Sequence, residues 1–224
     1  YIKNTNILRT IFTSKNSSFE VIDFAPRFFQ NHRYYRPTFL SRIIRPLSGT
    51  PFIRVRCQPR FDYARKEHYI NRGSNHIEYI QESNRLRLTS NIPLTYIEEE
   101  RFFALTRSQH LALTWGAPLE APLEETLENF FHLTKQYWES WVKTCAIPNH
   151  FQNEVIRSAL VLKLHQFEDT GAIIAATTTS LPESQNSQRD WDYRFCWLRD
   201  SYFTLHALRN LGQFQELEGF VNFL

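Results

Sequence analysis

The sequence predicts a β + α multidomain protein, with an N-terminal antiparallel β-sandwich followed by a helical region. Short segments that alternate bulky and polar residues, separated by turn residues, occupy residues 1 to about 115. Longer segments with helical spacing of apolar residues follow from Leu123. Because all strand-like segments precede all helix-like ones, separate domains are favoured over alternating βαβ units. We expect a β-sandwich domain at 1–116, and a linker with the helical region at 117–224.

The clearest strand signal lies in PFIRVRCQPRFDY, where Ile53, Val55 and Cys57 alternate with charged or polar residues. This alternation is typical of a strand with one buried face. The other strand-like segments, in chain order, are NILRTIFTS, FEVIDFAPRFF, SRIIRPLSG, HIEYIQES, RLRLTSN, RFFALTRS and LALTWG. Since they are short and closely spaced, they predict an antiparallel sandwich.

Four segments have apolar residues at helical spacing. The first begins near Leu123, where Pro122 suits a first helical turn and Glu124 suits the positive end of the helix dipole. Gly212 is suited to end the third helix as a C-cap residue. In chain order the segments are LEETLENFFHLTKQYWESWVKTC, NEVIRSALVLKLHQF, DSYFTLHALRNL and FQELEGFVNFL.

Composition and charge argue against several classes of protein. The net charge of +3 gives no strong basic field for nucleic acid. No segment has the roughly 18 uninterrupted apolar residues of a transmembrane helix, and no signal peptide opens the chain. The cysteines Cys57, Cys145 and Cys196 match no metal-binding spacing, and their odd number favours free thiols in a reducing compartment. We therefore expect no nucleic-acid or membrane partner, no metal, no cofactor and a cytoplasmic location.

Both ends of the sequence resemble the interior of a longer protein. The chain opens on YIKNTNILRT, and it stops on EGFVNFL, an apolar helical pattern without a terminator. A helix that stops within its pattern leaves its apolar face without a partner. We therefore expect a longer native chain, or self-association through an incomplete helical domain.

Aromatic and charged residues crowd the segment RDWDYRFCWLRD, from Arg189 to Asp200. Its spacing Y-x-x-x-W-x-R-D comprises Tyr193, Trp197, Arg199 and Asp200. A flat ring can cover the apolar face of a sugar, an arginine donates several hydrogen bonds, and an aspartate accepts them from neighbouring hydroxyls. The alternative is structural: an Arg199–Asp200 salt bridge, Asp200 as helix cap and Trp197 in the core. The residue types alone leave both interpretations open.

Three segments carry a resemblance to a known family. RSALVLK, GAIIAATTTSLPE and DWDYRFCWLRD resemble the patterns R-S-A-L-x-L-K, G-A-I-x-A-A-P-T-T-S-L-P-E and N-W-D-Y-R-Y-C-W-L-R-D of glycoside hydrolase family 15, which contains glucoamylases and trehalases. Upstream, NTNILRT, VIDFAPRF, RIIRPLSG and CQPRFDYA resemble the family's N-terminal sandwich, so the match covers nearly the whole chain. The departures are Thr177 for Pro, Asp190 for Asn, and SQNSQ for a Gly-rich approach.

This resemblance implies that the helical region is the start of an (α/α)6 barrel, the catalytic domain of an inverting exo-glycosidase that releases glucose from α-linked glucosides. The implied substrate is an α-glucan oligosaccharide of starch or glycogen type, or trehalose. Tyr193, Trp197, Arg199 and Asp200 would line the −1 glucose subsite. Asp200 would accept hydrogen bonds from the glucose hydroxyls, and Arg199 would donate to them. Tyr193 would lie near the scissile oxygen, and Trp197 would pack on the sugar.

The family's catalytic acid and base are two glutamates, and the resemblance places both beyond Leu224. Glu183, Asp190 and Asp192 are the nearby acids, and we interpret Asp192 as a structural hydrogen-bond partner. We therefore expect part of a glucose subsite, no catalytic carboxylate, and no activity of the isolated chain. The alternatives are a truncated non-catalytic remnant that acts as a sugar-binding or structural module, and an unrelated β-plus-α binding protein.

Overall fold

The computed structural model describes residues 1–178 and 184–224. The chain divides into two compact units. The first comprises Tyr1–Lys3 and Ile7–Tyr137, and the second comprises Asn4–Asn6 and Trp138–Leu224. The division falls within the long helix that follows the last strand, and the domain boundary expected at 116/117 stays a prediction.

The first unit is built on an antiparallel sheet of seven strands among the described residues. In chain order the strands of the unit are β1 (Leu8–Thr13), β2 (Ser18–Phe24), β3 (Phe28–Gln30), β4 (Arg33–Tyr35), β5 (Phe39–Ser48), β6 (Phe52–Ile53), β7 (Tyr69–Arg72), β8 (His76–Gln81), β9 (Asn84–Ser90), β10 (Phe103–Ala104) and β11 (Gln109–Trp115). The sheet has the order β1-β2-β5-β11-β9-β8-β7, while β3 pairs with β4 and β6 with β10 in separate ribbons.

The sheet buries side chains on both faces. Ile22 of β2 pairs with Ile43 of β5, and the neighbouring pair Val21 and Ile44 points to the opposite face. One face packs against helix α2 (Leu123–Thr144), in a cluster of Ile7, Ile22, Phe24, Phe39, Ile43, Ala112, Leu127 and Phe131. The other face is covered by the short helix α1 (Leu94–Glu98), the β6–β10 ribbon and the loops beside them.

A group of polar contacts joins α2 to the sheet. Glu128 of α2 accepts a hydrogen bond from Arg45 of β5 at 2.5 Å, and its other oxygen lies 3.0 Å from the ring nitrogen Nε2 of His110. His110 is completely buried. Because buried polar groups are costly without partners, these contacts fix the position of α2 along the sheet.

The predicted arrangement of a large antiparallel β region followed by helices is confirmed, and it is consistent with a β-sandwich. The strand predicted in PFIRVRCQPRFDY was too long, because only Phe52–Ile53 forms a ladder. Beyond it the burial still alternates: Val55 and Cys57 are half-buried, while Arg54 and Arg56 are exposed. The alternation therefore indicated correctly which side chains of 54–57 are more buried. These four residues have no hydrogen-bonded partner strand in the part of the chain that the structure describes.

The second unit is helical in its described residues. After the C-terminal part of α2 it contains α3 (Gln152–Leu164), α4 (Leu198–Asn210) and α5 (Phe214–Phe223). Arg157 of α3 donates hydrogen bonds to the Thr5 carbonyl at 2.8 Å and to the Asn6 side chain, which ties the segment Asn4–Asn6 to this unit. Ile173, Leu205 and Phe220 form a small core between the α3–α4 connection, α4 and α5.

Gly171 lies where the connection after α3 approaches α5. Its φ of +82° belongs to the left-handed region, and a Cβ atom there would meet the carbonyl oxygen of Gly219 at 2.0 Å. Glycine at position 171 lets the backbone of the GAIIAA segment lie directly on α5, whereas a Cβ at Gly219 would come no closer than 3.6 Å to its neighbours. This contact positions the segment that supports the site described next.

The three cysteines, Cys57, Cys145 and Cys196, are all free thiols. Burial raises the pKa of the Cys145 thiol to about 11, so this thiol is protonated at neutral pH. Across residues 1–178 and 184–224, every helix is too short or too polar to cross a membrane.

Candidate functional site

The segments GAIIAA and WDYRFCWLRD lie side by side and are joined by backbone hydrogen bonds. The amide of Ala176 donates to the Tyr193 carbonyl at 2.7 Å, and the amide of Ala175 donates to the Phe195 carbonyl at 3.1 Å. The GAIIAA segment is itself held to the end of α3, because the amide of Ile174 donates to the His165 carbonyl at 3.2 Å. These two segments, which are separate in sequence, thus form one structural unit.

The start of α4 sets the positions of Trp197, Arg199 and Asp200. Trp197 is the N-cap residue with extended backbone, and its carbonyl accepts from the Ser201 amide at 2.9 Å. Ser201 is buried, and its hydroxyl donates to the Ile173 carbonyl at 3.4 Å. The helix start is therefore anchored to the GAIIAA segment by Ser201.

Trp197 is the centre of an aromatic and cationic cluster. Its ring centroid lies 5.8 Å from that of Tyr193 and 6.2 Å from that of Trp191. The Arg199 guanidinium lies over the same indole at 5.7 Å, a cation–π distance. The indole Nε1–H donates to the Asp192 carbonyl at 2.8 Å. Trp197 thus has a hydrogen-bond partner and contacts on several sides.

Arg199 and Asp200 form an exposed guanidinium beside a partly buried carboxylate. Arg199 Nη2 lies 3.2 Å from Asp200 Oδ2. That oxygen is buried, yet it accepts no hydrogen bond from the described residues. The structural alternative is therefore present in part: the local ion pair forms, whereas the N-cap position makes no side-chain capping bond. A carboxylate oxygen with no hydrogen-bond donor can accept one from a ligand hydroxyl.

Asp192 has a different environment from Asp200. It accepts from the Arg194 side chain through both oxygens, at 3.0 and 2.7 Å, and from the Arg194 amide at 2.9 Å. These hydrogen bonds to Arg194 lower the pKa of Asp192 to about 2. Asp192 is thus a stable anion that shapes the loop, and a group with so low a pKa is a poor general acid.

The four residues of the Y-x-x-x-W-x-R-D pattern lie together in the structure. Tyr193 and Arg199 both contact the Trp197 indole, and Arg199 in turn lies beside Asp200. Of the other acids considered, Asp190 is exposed, and Glu183 lies outside the described residues together with Thr179–Pro182. Over the described ranges, no group of three or more His, Cys, Asp or Glu side chains is placed to hold a metal ion.

Sequence reasoning missed two features of the second unit. The first is Trp191, whose ring lies at 86° to Trp197 and is 47% exposed. The second is the buried Lys163, which lies 3.1 Å from Glu216 Oε1, an oxygen that also accepts from the Trp141 indole at 2.9 Å. A lysine inside the apolar run RSALVLKL was the available signal, because a buried cation requires an anionic partner.

Comparisons with known proteins place these features in a family. Residues 150–224, which include all three motif segments, match the model of glycosyl hydrolases family 15. The chain is 36% identical over 200 residues to a trehalase of Mycolicibacterium smegmatis, covering 83% of this chain and 30% of that protein. No solved structure matches the chain.

Archaeal relatives align over almost the whole chain. A trehalase of Thermoplasma volcanium is 27% identical over 230 residues, covering 99% of this chain and 36% of the relative. Trehalase 1 of Sulfolobus acidocaldarius is 31% identical over 225 residues, covering 98% of this chain and 37% of the relative. The chain therefore spans about a third of the length of the curated relatives it matches. With the motifs GAIIAA and WDYRFCWLRD in place, these matches show that the chain belongs to glycosyl hydrolases family 15.

Proposed function

We propose that this chain carries the glucose-holding part of a glycoside hydrolase that acts on trehalose. The observation that carries the proposal is the carboxylate of Asp200, whose buried Oδ2 accepts no hydrogen bond from the described residues. It lies beside an exposed arginine and next to an aromatic cluster. The ion pair with Arg199 offsets part of the cost of burying this oxygen, and a ligand hydroxyl can supply the hydrogen bond that it lacks.

The proposed roles follow from the chemistry of each side chain. Asp200 accepts hydrogen bonds from glucose hydroxyls, and Arg199 donates to their oxygens. Tyr193 and Trp197 provide the apolar wall that excludes water from these polar contacts. Charged hydrogen bonds strengthen where water is excluded, so rings and charges have a reason to occur together.

Trehalose is proposed rather than a starch-type α-glucan because the relatives named above are trehalases. Trehalose contains two glucose rings joined through one oxygen, so a site for a terminal glucose suits it. The glucoamylase-like action implied by the resemblance has no comparable support among these relatives.

The chemical step needs groups other than those described here. Inverting glycosidases use two carboxyl groups about 6.5–9.5 Å apart, one of which is a protonated acid. Asp192 is held as an anion by Arg194, and Asp200 is assigned to binding. We propose that the acid and base glutamates lie beyond Leu224 in the complete enzyme.

A ligand titration of the 224-residue chain tests the proposal. Trehalose is added while the amide signals of the 184–224 segment are followed by NMR, with sucrose as a disaccharide of similar size. We expect saturable shifts with trehalose, at a dissociation constant on the order of millimolar. We also expect no release of glucose. Absence of trehalose binding would leave a purely structural role, and measurable glucose release would overturn the placement of the catalytic glutamates.

A further inference from the structure

We propose that Trp191 is the stacking surface for the second sugar ring of the disaccharide, adjacent to the glucose held by Arg199 and Asp200. This inference rests on the proposed function and adds a specificity-determining residue to it. It also changes the role of Trp197, which becomes the side chain that positions its neighbours.

The accessible surface of the two indoles differs. Trp191 is an exposed residue, with 47% of its surface accessible, whereas Trp197 is less exposed. The Trp197 ring is already contacted by Tyr193, by Trp191 and by the Arg199 guanidinium. Its N–H is used in the bond to the Asp192 carbonyl. A sugar face therefore finds more free aromatic surface on Trp191 than on Trp197.

Trp197 also fixes where Trp191 lies. The two indoles meet edge to face, with an interplanar angle of 86° and a centroid distance of 6.2 Å. This arrangement is favourable for aromatic pairs and restricts the Trp191 ring. The loop that carries Trp191 is also held by the ion pair between Asp192 and Arg194. A ring held in one orientation loses less conformational freedom when it binds a ligand.

Trp191 and Arg199 both border Trp197, and we assign them to the two sugar rings of one disaccharide. Arg199 lies 5.7 Å and Trp191 6.2 Å from the centre of the Trp197 indole, so the polar grip and the exposed ring belong to one cluster around Trp197. A glucose ring whose hydroxyls bind Arg199 and Asp200 places its linked partner ring next to this grip. The C–H face of that partner ring can then cover Trp191 and remove apolar surface from water.

The test compares a disaccharide with a monosaccharide. Trehalose and glucose are titrated separately into the 224-residue chain and into its W191A and W191F variants, with binding followed by NMR. The matched control is W115A, because Trp115 is also about half exposed, at 45%, and belongs to strand β11 in the other compact unit. D200N serves as the variant that removes the proposed polar grip.

We expect W191A to weaken trehalose binding by roughly tenfold while glucose binding stays unchanged. W191F should retain most of the trehalose affinity, and W115A should resemble the parent chain. D200N should weaken both ligands. If W191A binds trehalose like the parent, or loses both ligands equally, the inference about Trp191 is wrong while the glucose grip stands. If the parent chain binds neither sugar, the proposed function fails and the inference fails with it.

Discussion

Asp192 and Asp200 lie in the same motif, and each forms an ion pair with a neighbouring arginine, but they differ in hydrogen bonding. Asp192 is saturated by three hydrogen bonds from Arg194, whereas Asp200 has a buried oxygen without a hydrogen bond from the described residues. The first arrangement stabilises a loop, and the second is suited to a ligand. From the sequence we interpret Asp192 as structural and Asp200 as a binding residue, and the hydrogen bonds from Arg194 give a physical reason for the role of Asp192.

The arginine beside Asp192 should control its titration. Replacing Arg194 with methionine should raise the pKa of Asp192 from about 2 towards the ordinary value of about 3.9, because the lowered pKa comes mainly from Arg194. Since the folded-state pKa is depressed, the stabilising contribution is full above the ordinary pKa and is lost as pH falls through about 2. Carboxyl ¹³C chemical shifts measured against pH give the midpoint.

The exposed Arg209 at the end of α4 provides the control for a general loss of charge. R209M removes one positive charge as R194M does, and it should leave the Asp192 midpoint near its parent value. An unchanged midpoint in R194M would show that the ion pair does not form in solution.

At the scale of elements, the long periodic segments were predictable. All four helices of the sequence analysis are present, with α3 ending at Leu164 before the predicted His165–Phe167. The strand β7 was missed because its four residues, YINR, are all exposed at the sheet edge and show no alternation. Helix α1 was missed because five residues are too few to reveal a helical period.

Only the proximity of the four candidate residues was predictable from their spacing, and their assignment to a glucose subsite stays a prediction. The pattern Y-x-x-x-W-x-R-D named Tyr193, Trp197, Arg199 and Asp200, and the turn at the start of α4 brings them together. Exposure of Trp191 and the backbone pairing of GAIIAA with Tyr193–Phe195 depend on contacts between separate segments. Local periodicity contains no information about such contacts.

The close approach of Gly171 to α5 gives a prediction at this scale. Gly171→Ala should destabilise the chain by at least about 1 kcal/mol, since alanine is strained at positive φ and its Cβ would overlap the Gly219 backbone. The free energy of unfolding is measured by urea denaturation followed by circular dichroism.

Gly116 provides a matched control for the backbone effect alone. It has φ of +80°, and a Cβ there would meet no atom within 4 Å. G116A should therefore cost less than G171A, because it carries only the conformational strain. Equal costs for the two variants would mean that the contact between Gly171 and α5 contributes nothing.

At the scale of the whole molecule, the second unit exposes large apolar side chains on neighbouring helices. Those of α4 and α5 are Leu198, Tyr202, Phe203, Phe214, Val221 and Phe223. Exposed apolar surface of this kind favours association, because association removes it from water. The (α/α)6 barrel implied by the family resemblance would cover such surface with further helices and stays a prediction.

The 224-residue chain should therefore self-associate in a concentration-dependent way. Phe203→Ser should shift the equilibrium towards monomer, since Phe203 is 65% exposed on α4. Phe102, 64% exposed in the first unit, gives the matched control F102S, which should behave like the parent. Multi-angle light scattering over a range of concentrations measures the effect, and a parent chain that stays monomeric throughout would contradict it.

The central claim is that Asp200 holds a glucose ring, and one comparison tests it most directly. Trehalose is titrated into the parent chain, D200N and D190N, with binding followed by NMR. D200N keeps the shape of the side chain and removes its charge, whereas Asp190 is an exposed acid of the same segment. We predict that D200N weakens binding at least about tenfold and that D190N leaves it unchanged. Equal binding by D200N and the parent would contradict the assignment of Asp200 to the glucose subsite.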